Sequence, residues 1–162
     1  MTTPVTTSKP TSADLASVYL TALDGLLPDN TQPHVRICPS GDHTSIVIAN
    51  EAFFPLDPDD PGFTQLVSVI DASMLPDHTA GIHGICADLT ADRKLVSAFL
   101  DNDGDLLLTT DSIAGPHDQI PDPDHLAHTV LPRVLASHMN ALQHLLNILL
   151  LIRTIDHDLD TE

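Results

Sequence analysis

The sequence predicts an α+β domain with an antiparallel sheet of about five strands and helices in the order α-β-β-β-α-β-β-α. Three observations predict this fold: an amphipathic helical pattern near the N-terminus, short alternating segments between turn residues, and a long leucine-rich pattern near the C-terminus. A chain of 162 residues suits one domain. We expect this single α+β domain to span residues 12–153, after a disordered tail of residues 1–11.

The first helix is predicted to begin at Ala13, with Ser12 as its N-cap. Its apolar residues recur at the spacing of one helix face. They are Leu15, Val18, Tyr19, Ala22, Leu23 and Leu26. Gly25 and Pro28 mark the end of this helix.

Three strand candidates follow. Residues 34–38 and 44–49 flank the turn sequence Ser40-Gly41-Asp42, so they are predicted to form a hairpin. Residues 65–70 are the third candidate. The segment 55–62 holds three prolines, which remove backbone donors, and it is predicted to be a loop.

A second helix and a second hairpin are predicted next. Apolar residues recur at helical spacing within 77–92, and we interpret Gly81 and Gly84 as positions of close packing against the sheet. Residues 94–100 and 105–110 are predicted strands on either side of a turn. Gly104 would supply the positive φ that this tight turn needs.

The most apolar feature is a helical pattern that ends near Ile152. Asp122 is predicted to cap it, and Pro132 is expected to kink it or to separate its first turns. Its last two turns are apolar almost all round, so they must be buried against something. We predict a homodimer interface there, with folding of the acidic tail (residues 154–162) or the N-terminal segment over the helix as the alternative. The predicted interface residues are Leu145, Ile148, Leu149, Leu150, Leu151 and Ile152.

The net charge of the chain limits the kinds of macromolecule that it can bind. The chain has 23 acidic and 6 basic residues, for a formal net charge of −17, and the basic residues are spread out. Such a chain repels nucleic-acid backbones and anionic membranes. We therefore expect no nucleic-acid or membrane partner. Residues 1–11 lack a signal-peptide pattern, and the most apolar stretch, 145–152, is too short to span a bilayer, so we expect a cytoplasmic protein. The acidic surface fits solubility, salt adaptation, a protein partner with a basic surface, or mimicry of a nucleic acid.

The stretch VSAFLDNDGDLLLTTD (96–111), followed by HLAHTVLPRVLASHMNALQHLLNIL (125–149), resembles the YbjN family, whose fold is similar to that of the type III secretion chaperones. Pro132 and the glycines of the middle helix depart from that pattern. The resemblance implies a chaperone-like or regulatory protein-binding domain, often dimeric. The family has no agreed catalytic residues, so the resemblance implies no active site.

Candidate chemical sites are few. His125 and His128, with His117 nearby, predict at most a weak metal site or a metal-dependent enzyme, because zinc usually needs three or four ligands. Asp101, Asp103 and Asp105 fail the calcium-loop pattern at both ends, which favours a solvated turn. Cys38 and Cys86 lie beside apolar residues and are predicted to be reduced and buried. His138 is predicted to be a core histidine whose ring nitrogens are hydrogen-bonded.

No nucleophile or phosphate-loop motif occurs, so we predict a non-enzymatic protein-interaction domain without a cofactor, acting through its sheet and C-terminal helix.

Overall fold

The computed structural model describes residues 8–41, 43–48, 52–77 and 79–160, and these form the predicted α+β architecture. Predictions that lie outside the described residues concern residues 1–7, Asp42, Ala49, His78 and residues 161–162. Helix α1 spans Ser12–Leu23, and its N-cap is Thr11 rather than Ser12. The Asp14 N–H donates to Thr11 Oγ1 at 3.1 Å, and the Thr11 N–H donates to Asp14 Oδ2 at 3.2 Å. This reciprocal capping box begins the helix one residue earlier than predicted.

The sheet has six strands rather than five. They are β1 (His34–Ile37), β2 (Thr44–Val47), β3 (Phe53–Leu56), β4 (Phe63–Ile70), β5 (Val96–Leu100) and β6 (Leu106–Ile113). Their spatial order is β1-β2-β3-β4-β6-β5, and all neighbours are antiparallel. Because β4 and β5 both run antiparallel to β6, they are parallel to each other. Helix α2 (Thr79–Asp92) makes the crossover between them.

The additional strand is β3. The segment 55–62, predicted as a loop, instead contributes Pro55 and Leu56 to this strand, and Pro55 lies opposite Ser45 of β2. A proline interrupts a ladder on the side where its N–H would donate. Within the described residues, β3 is in register with β4 at a single pair, Phe53 and Val67, so little of that ladder depends on the missing donor.

Helix α2 matches the second predicted helix, but the explanation offered for its glycines is wrong. A Cβ atom at Gly81 or Gly84 would meet no atom within 4 Å. Both glycines therefore face open space rather than the sheet. The residues of α2 that pack into the core are Ile82, Cys86 and Leu89.

The β5–β6 hairpin has the predicted turn. Gly104 adopts a φ of +86°, and its N–H donates to the carbonyl oxygen of Asp101 at 3.2 Å. Asp101 Oδ1 accepts hydrogen bonds from the N–H groups of Asp103 at 2.9 Å and Asp105 at 3.0 Å. The acidic side chain of Asp101 thus closes the turn.

The terminal helical segment begins as predicted. Asp122 Oδ1 accepts a hydrogen bond from the His125 N–H at 2.9 Å, with α3 (Pro123–His125) immediately after the cap. A π-helical turn, Leu126–Val130, separates α3 from α4 (Leu131–Asp160). Pro132 has no N–H to continue a regular α-helical ladder, which accounts for the separation of the first turns. Helix α4 then continues past Ile152 as far as Asp160, so residues 154–160, predicted to be part of an acidic tail, are helical.

The core lies on one face of the sheet, in two clusters. The first joins α1, the π-helical turn and the start of α4 to β2, β3 and β4. The second joins α2 and the middle of α4 to β5, β6 and the end of β4. By the register of the sheet, the strand residues of both clusters point to the same side. The alternate residues form a second face, here called the open face, which belongs to neither cluster.

The two cysteines differ in burial. Cys86 is buried on α2, as predicted. Cys38 is exposed and accepts a hydrogen bond from Ser40 Oγ at 3.4 Å. The prediction that Cys38 is buried is wrong because the preceding strand, β1, is at the edge of the sheet, where even Ile37 is 63% exposed.

Candidate functional site

Helix α4 is seated on the sheet by one apolar stripe. Its buried residues recur three or four positions apart, so they share one helix face. They are Leu131, Val134, His138, Ala141, Leu145 and Leu149. Leu149 is the last buried residue of the helix, although α4 has 30 residues and is therefore about 45 Å long. The remainder of α4 extends beyond the core.

His138 is the single polar member of this buried stripe. Its Nε2 lies 2.7 Å from Ser68 Oγ on β4, and its Nδ1 lies 3.0 Å from Thr110 Oγ1 on β6. Burial lowers the pKa of His138 to about 4, so the imidazole is neutral near pH 7. One ring nitrogen donates and the other accepts, and both are satisfied by hydroxyl groups. His138 is therefore the satisfied core histidine predicted from the sequence, and it links α4 to two strands.

The two hydroxyl partners of His138 were not identified from the sequence. In β4, the core-facing positions carry Thr64, Leu66, Ser68 and Ile70, so polar and apolar residues share the buried face. Thr64 and Ser68 are 0% and 3% exposed. A hydroxyl at a core position needs a buried partner, because an unsatisfied buried polar group is costly. Hydroxyl residues at core-facing positions of a strand were therefore the signal from which buried hydrogen-bond partners could have been expected. In the structure, the partner of Thr64 is Tyr19 and the partner of Ser68 is His138.

A second apolar stripe runs along α4, beside the buried one. We call it the flank stripe, and its members are Leu135, Met139, Leu142, Leu146 and Leu150. Leu135 and Leu142 are half-buried, whereas Met139, Leu146 and Leu150 are 53%, 38% and 62% exposed. The successive spacings of four, three, four and four residues keep this stripe on one side of the helix. Helix α4 therefore presents a continuous apolar side that the domain covers only in part.

The first half of the flank stripe forms one wall of an apolar groove with a volume of about 440 Å³. Leu135, Met139 and Leu142 line it on the helix side. The opposite wall consists of Leu26 and Leu27 from the loop after α1, together with residues at the ends of β2 and β3. Among the residues that the structure describes, those that line the groove carry no ionisable side chain. The described lining of the groove is thus uncharged, and on α4 it extends from Leu135 to Leu142.

Beyond Leu149, the helix exposes large apolar side chains on several sides. Leu150, Leu151, Ile155 and Leu159 are 62%, 61%, 51% and 69% exposed. At about 25 cal/mol per Å² of apolar surface, leaving such side chains in water forgoes substantial burial energy. Contiguous apolar surface of this kind marks an interaction site more often than single exposed residues do.

The charge along α4 differs from that of the rest of the chain. No Asp or Glu occurs from residue 125 to residue 155, and the charged residues there are Arg133 and Arg153. At the overall frequency of 23 acidic residues in 162, a stretch of this length would hold about four. Residues 125–155 therefore contribute no negative charge to a chain whose net charge is −17.

The predicted interface residues fall into three groups. Leu145 and Leu149 are buried in the core, at 0% and 6% exposure. Ile148 and Ile152 are half-buried. Leu150 and Leu151 are exposed on different sides of the helix. An interface on α4 would accordingly rest on the outer residues. Met139 and Leu146 belong to this exposed set, although the sequence pattern placed them on one stripe with the buried Leu145 and Leu149.

The open face of the sheet is the second surface predicted to make contacts. At its centre, Val67 and Thr109 are 4% and 6% exposed, whereas Phe99 and Ile113 toward its margins are 45% and 70% exposed. The Arg36 guanidinium lies 5.2 Å from the centre of the Phe53 ring on this face. The open face is mixed in polarity and less continuous than the flank stripe.

The candidate metal residues are exposed and lie in separate local structures. His117 lies in a turn, His125 in α3 and His128 in the π-helical turn. Within residues 8–41, 43–48, 52–77 and 79–160, no group of three or more His, Cys, Asp or Glu residues could hold a metal ion.

Residues Pro123–Asp160 are long and apolar enough, by length and composition alone, to cross a membrane, and the same stretch supplies the helix that packs on the sheet. Models of protein families, characterised proteins and solved structures were each compared with the chain, and none matches it.

Proposed function

We propose that this chain is a non-enzymatic protein-interaction domain, chaperone-like or regulatory, that contacts its partners through α4 and the open face of the sheet. The single observation that carries the proposal is the apolar surface of α4 that the domain leaves uncovered, from Met139 to Leu159. The proposal agrees with what the resemblance to the YbjN family implies. A homodimer is the assembly that we expect.

The distribution of charge supports a division between two kinds of partner. A partner with a basic surface would be attracted by the net charge of −17, but the acidic residues that attract it lie outside residues 125–155. An uncharged apolar partner would instead suit α4 as far as Ile155, because no carboxylate of that part of the helix has to be desolvated. We therefore assign hydrophobic association to α4 and any electrostatic attraction to the acidic surface elsewhere.

Light scattering coupled to size-exclusion chromatography tests the proposal. We expect the wild-type chain to have twice its monomer mass of 17.4 kDa. The double variant Leu150→Asp with Leu151→Asp should have the monomer mass and keep the circular-dichroism spectrum of the folded chain, because both side chains are exposed. A wild-type monomer at high concentration that also captures no protein partner would contradict the proposal. An unfolded double variant would show that these residues belong to the core.

A further inference from the structure

We infer that the flank stripe of α4 binds the flank stripe of a second copy of this chain, with the two helices antiparallel and Leu150 of each copy seated in the apolar groove of the other. This inference rests on the proposed function, because it takes α4 as an interaction surface. It adds the partner, the orientation and the residues in contact.

The first argument is the spacing of the flank stripe. In an antiparallel pair with its two-fold axis near residue 144, Met139 faces Leu150 of the other helix and Leu142 faces Leu146. The symmetric contacts repeat the same two layers on the other side of the axis. Apolar residues three and four apart are the pattern by which paired helices interlock their side chains. Every exposed member of the stripe is therefore used in a self-complementary interface, as two-fold symmetry requires.

The second argument is the groove. Its volume of about 440 Å³ is enclosed on the helix side by Leu135, Met139 and Leu142. In the antiparallel arrangement, Leu150 of the second copy arrives opposite Met139 and enters this groove. Met139 lies at the rim, and a methionine side chain adapts readily to the shape of what packs on it. The protruding half of one flank stripe thus fills the recessed half of the other.

The third argument is charge, which selects both the partner and the orientation. Two chains of net charge −17 repel each other over most of their surfaces, but residues 125–155 carry no carboxylate. A parallel pair would bring the two copies of Asp156, Asp158 and Asp160 side by side. The antiparallel pair places these acidic ends about 40 Å apart at 1.5 Å per residue, far beyond a screening length of about 8 Å.

The same orientation brings opposite charges together at each end of the interface. Arg153 lies about one turn beyond Leu150, so in the second copy it passes the outer end of the groove. The loop beside the groove carries the exposed carboxylates of Asp24 and Asp29. An arginine at that place would attract these carboxylates, whereas Asp156, three residues further along the same helix, would bring a like charge toward them.

Single substitutions with a matched control test the residues. Met139→Glu introduces a charge into the proposed interface, opposite Leu150 of the second copy, whereas Leu151→Glu introduces the same charge at a side chain that is 61% exposed but off the flank stripe. We expect Met139→Glu to weaken dimerisation at least roughly 30-fold, as for an interface residue that packs against an apolar side chain of the partner. Leu151→Glu should leave the dimer intact. Sedimentation velocity over a dilution series measures both.

The outcomes separate this inference from the proposed function. A dimer that survives Met139→Glu but is lost in Leu151→Glu would overturn the inference and leave the proposed function in place. A wild-type chain that is monomeric throughout the dilution series would overturn the inference, and a monomer that also captures no protein partner would overturn both. Circular dichroism of each variant identifies a loss of folding, and Leu146→Glu provides a second probe of the stripe if Met139→Glu does not fold.

Disulfide trapping tests the orientation. Met139→Cys and Leu150→Cys are made separately in a Cys38→Ser background, since Cys86 is buried and inaccessible. Mixing the two variants under mild oxidation should give the mixed disulfide in preference to either symmetric one, because only facing positions bring the Cα atoms within bonding range. Preferential 150–150 and 139–139 disulfides would indicate a parallel pair and overturn the inference.

Discussion

Acidification should destabilise the fold through His138. This side chain is 0% exposed and hydrogen-bonded by Ser68 and Thr110, both of which are uncharged. Burial lowers its pKa from 6.5 to about 4, because a charged imidazolium would lose its hydration there. The unfolded chain therefore binds a proton at His138 more strongly than the folded chain does.

The sign and size of the effect follow by linkage. The contribution of His138 is fully present above a pH of about 6.5, and it is lost as the pH falls toward the folded-state pKa of about 4. The difference between the two pKa values corresponds to about 3 kcal/mol in total. Between about pH 7 and about pH 5, the free energy of unfolding should fall by about 2 kcal/mol from this residue alone.

Urea denaturation at several pH values, at one fixed protein concentration, measures the effect. The control is His138→Gln, which keeps an uncharged polar side chain but cannot titrate. The other nine histidines and the carboxylates contribute to both proteins, so the difference between the two pH dependences isolates His138. A second readout is the NMR titration of the His138 ring.

Two results would refute this reasoning. One is an identical change in unfolding free energy between pH 7 and pH 5 for the wild type and His138→Gln. The other is a ring titration with a midpoint near 6.5, the ordinary value for a histidine in water. Either would mean that the imidazole is hydrated or mobile in the folded protein, and the link between α4 and the sheet would have to be revised.

Of three further substitutions, one is expected to raise the free energy of unfolding and two are expected to lower it. Gly81→Ala should raise the free energy of unfolding by about 0.5–1 kcal/mol, because the new methyl group meets no atom within 4 Å on a helix; no change or a loss in urea denaturation would contradict this. Gly62→Ala should lower it by at least about 2 kcal/mol, since the added Cβ would lie 2.3 Å from the carbonyl oxygen of Pro116, and a melting temperature equal to that of the wild type would refute the clash. Tyr19→Phe should cost about 1–2 kcal/mol, because it removes the partner of the buried Thr64 hydroxyl at 2.8 Å; the double variant with Thr64→Val should then recover part of the loss.

The helices and the main hairpin could be predicted from local signals. The Asp122 side chain accepts a hydrogen bond from a helix N–H, and Gly104 adopts a positive φ. Both properties are local and do not depend on distant residues. The strand β3 could not be predicted in the same way. From its local sequence, Pro55 is expected to interrupt a strand. Only the pairing of β3 with β2 and β4 shows that the sheet needs no backbone N–H donor at position 55.

The candidate site was predictable in position but not in composition. An apolar helix end around Leu150 is visible in the sequence, whereas the division between buried Leu149 and exposed Met139 depends on where the sheet ends and how the helix is rotated on it. His138 and its two hydroxyl partners fix that rotation together with the buried apolar residues of α4. Because Ser68 and Thr110 are distant in sequence from α4, no local periodicity could identify them.

The claim that α4 is an interaction surface is tested most directly by the solution masses of three proteins at equal concentration: the wild type, Leu150→Glu and Leu151→Glu. The two substituted side chains are neighbours with exposures of 62% and 61%, so they differ mainly in the side of the helix that they occupy. We expect the wild type and Leu151→Glu to have twice the mass of 17.4 kDa, and Leu150→Glu to have the monomer mass. The same mass for all three proteins would contradict this account of α4.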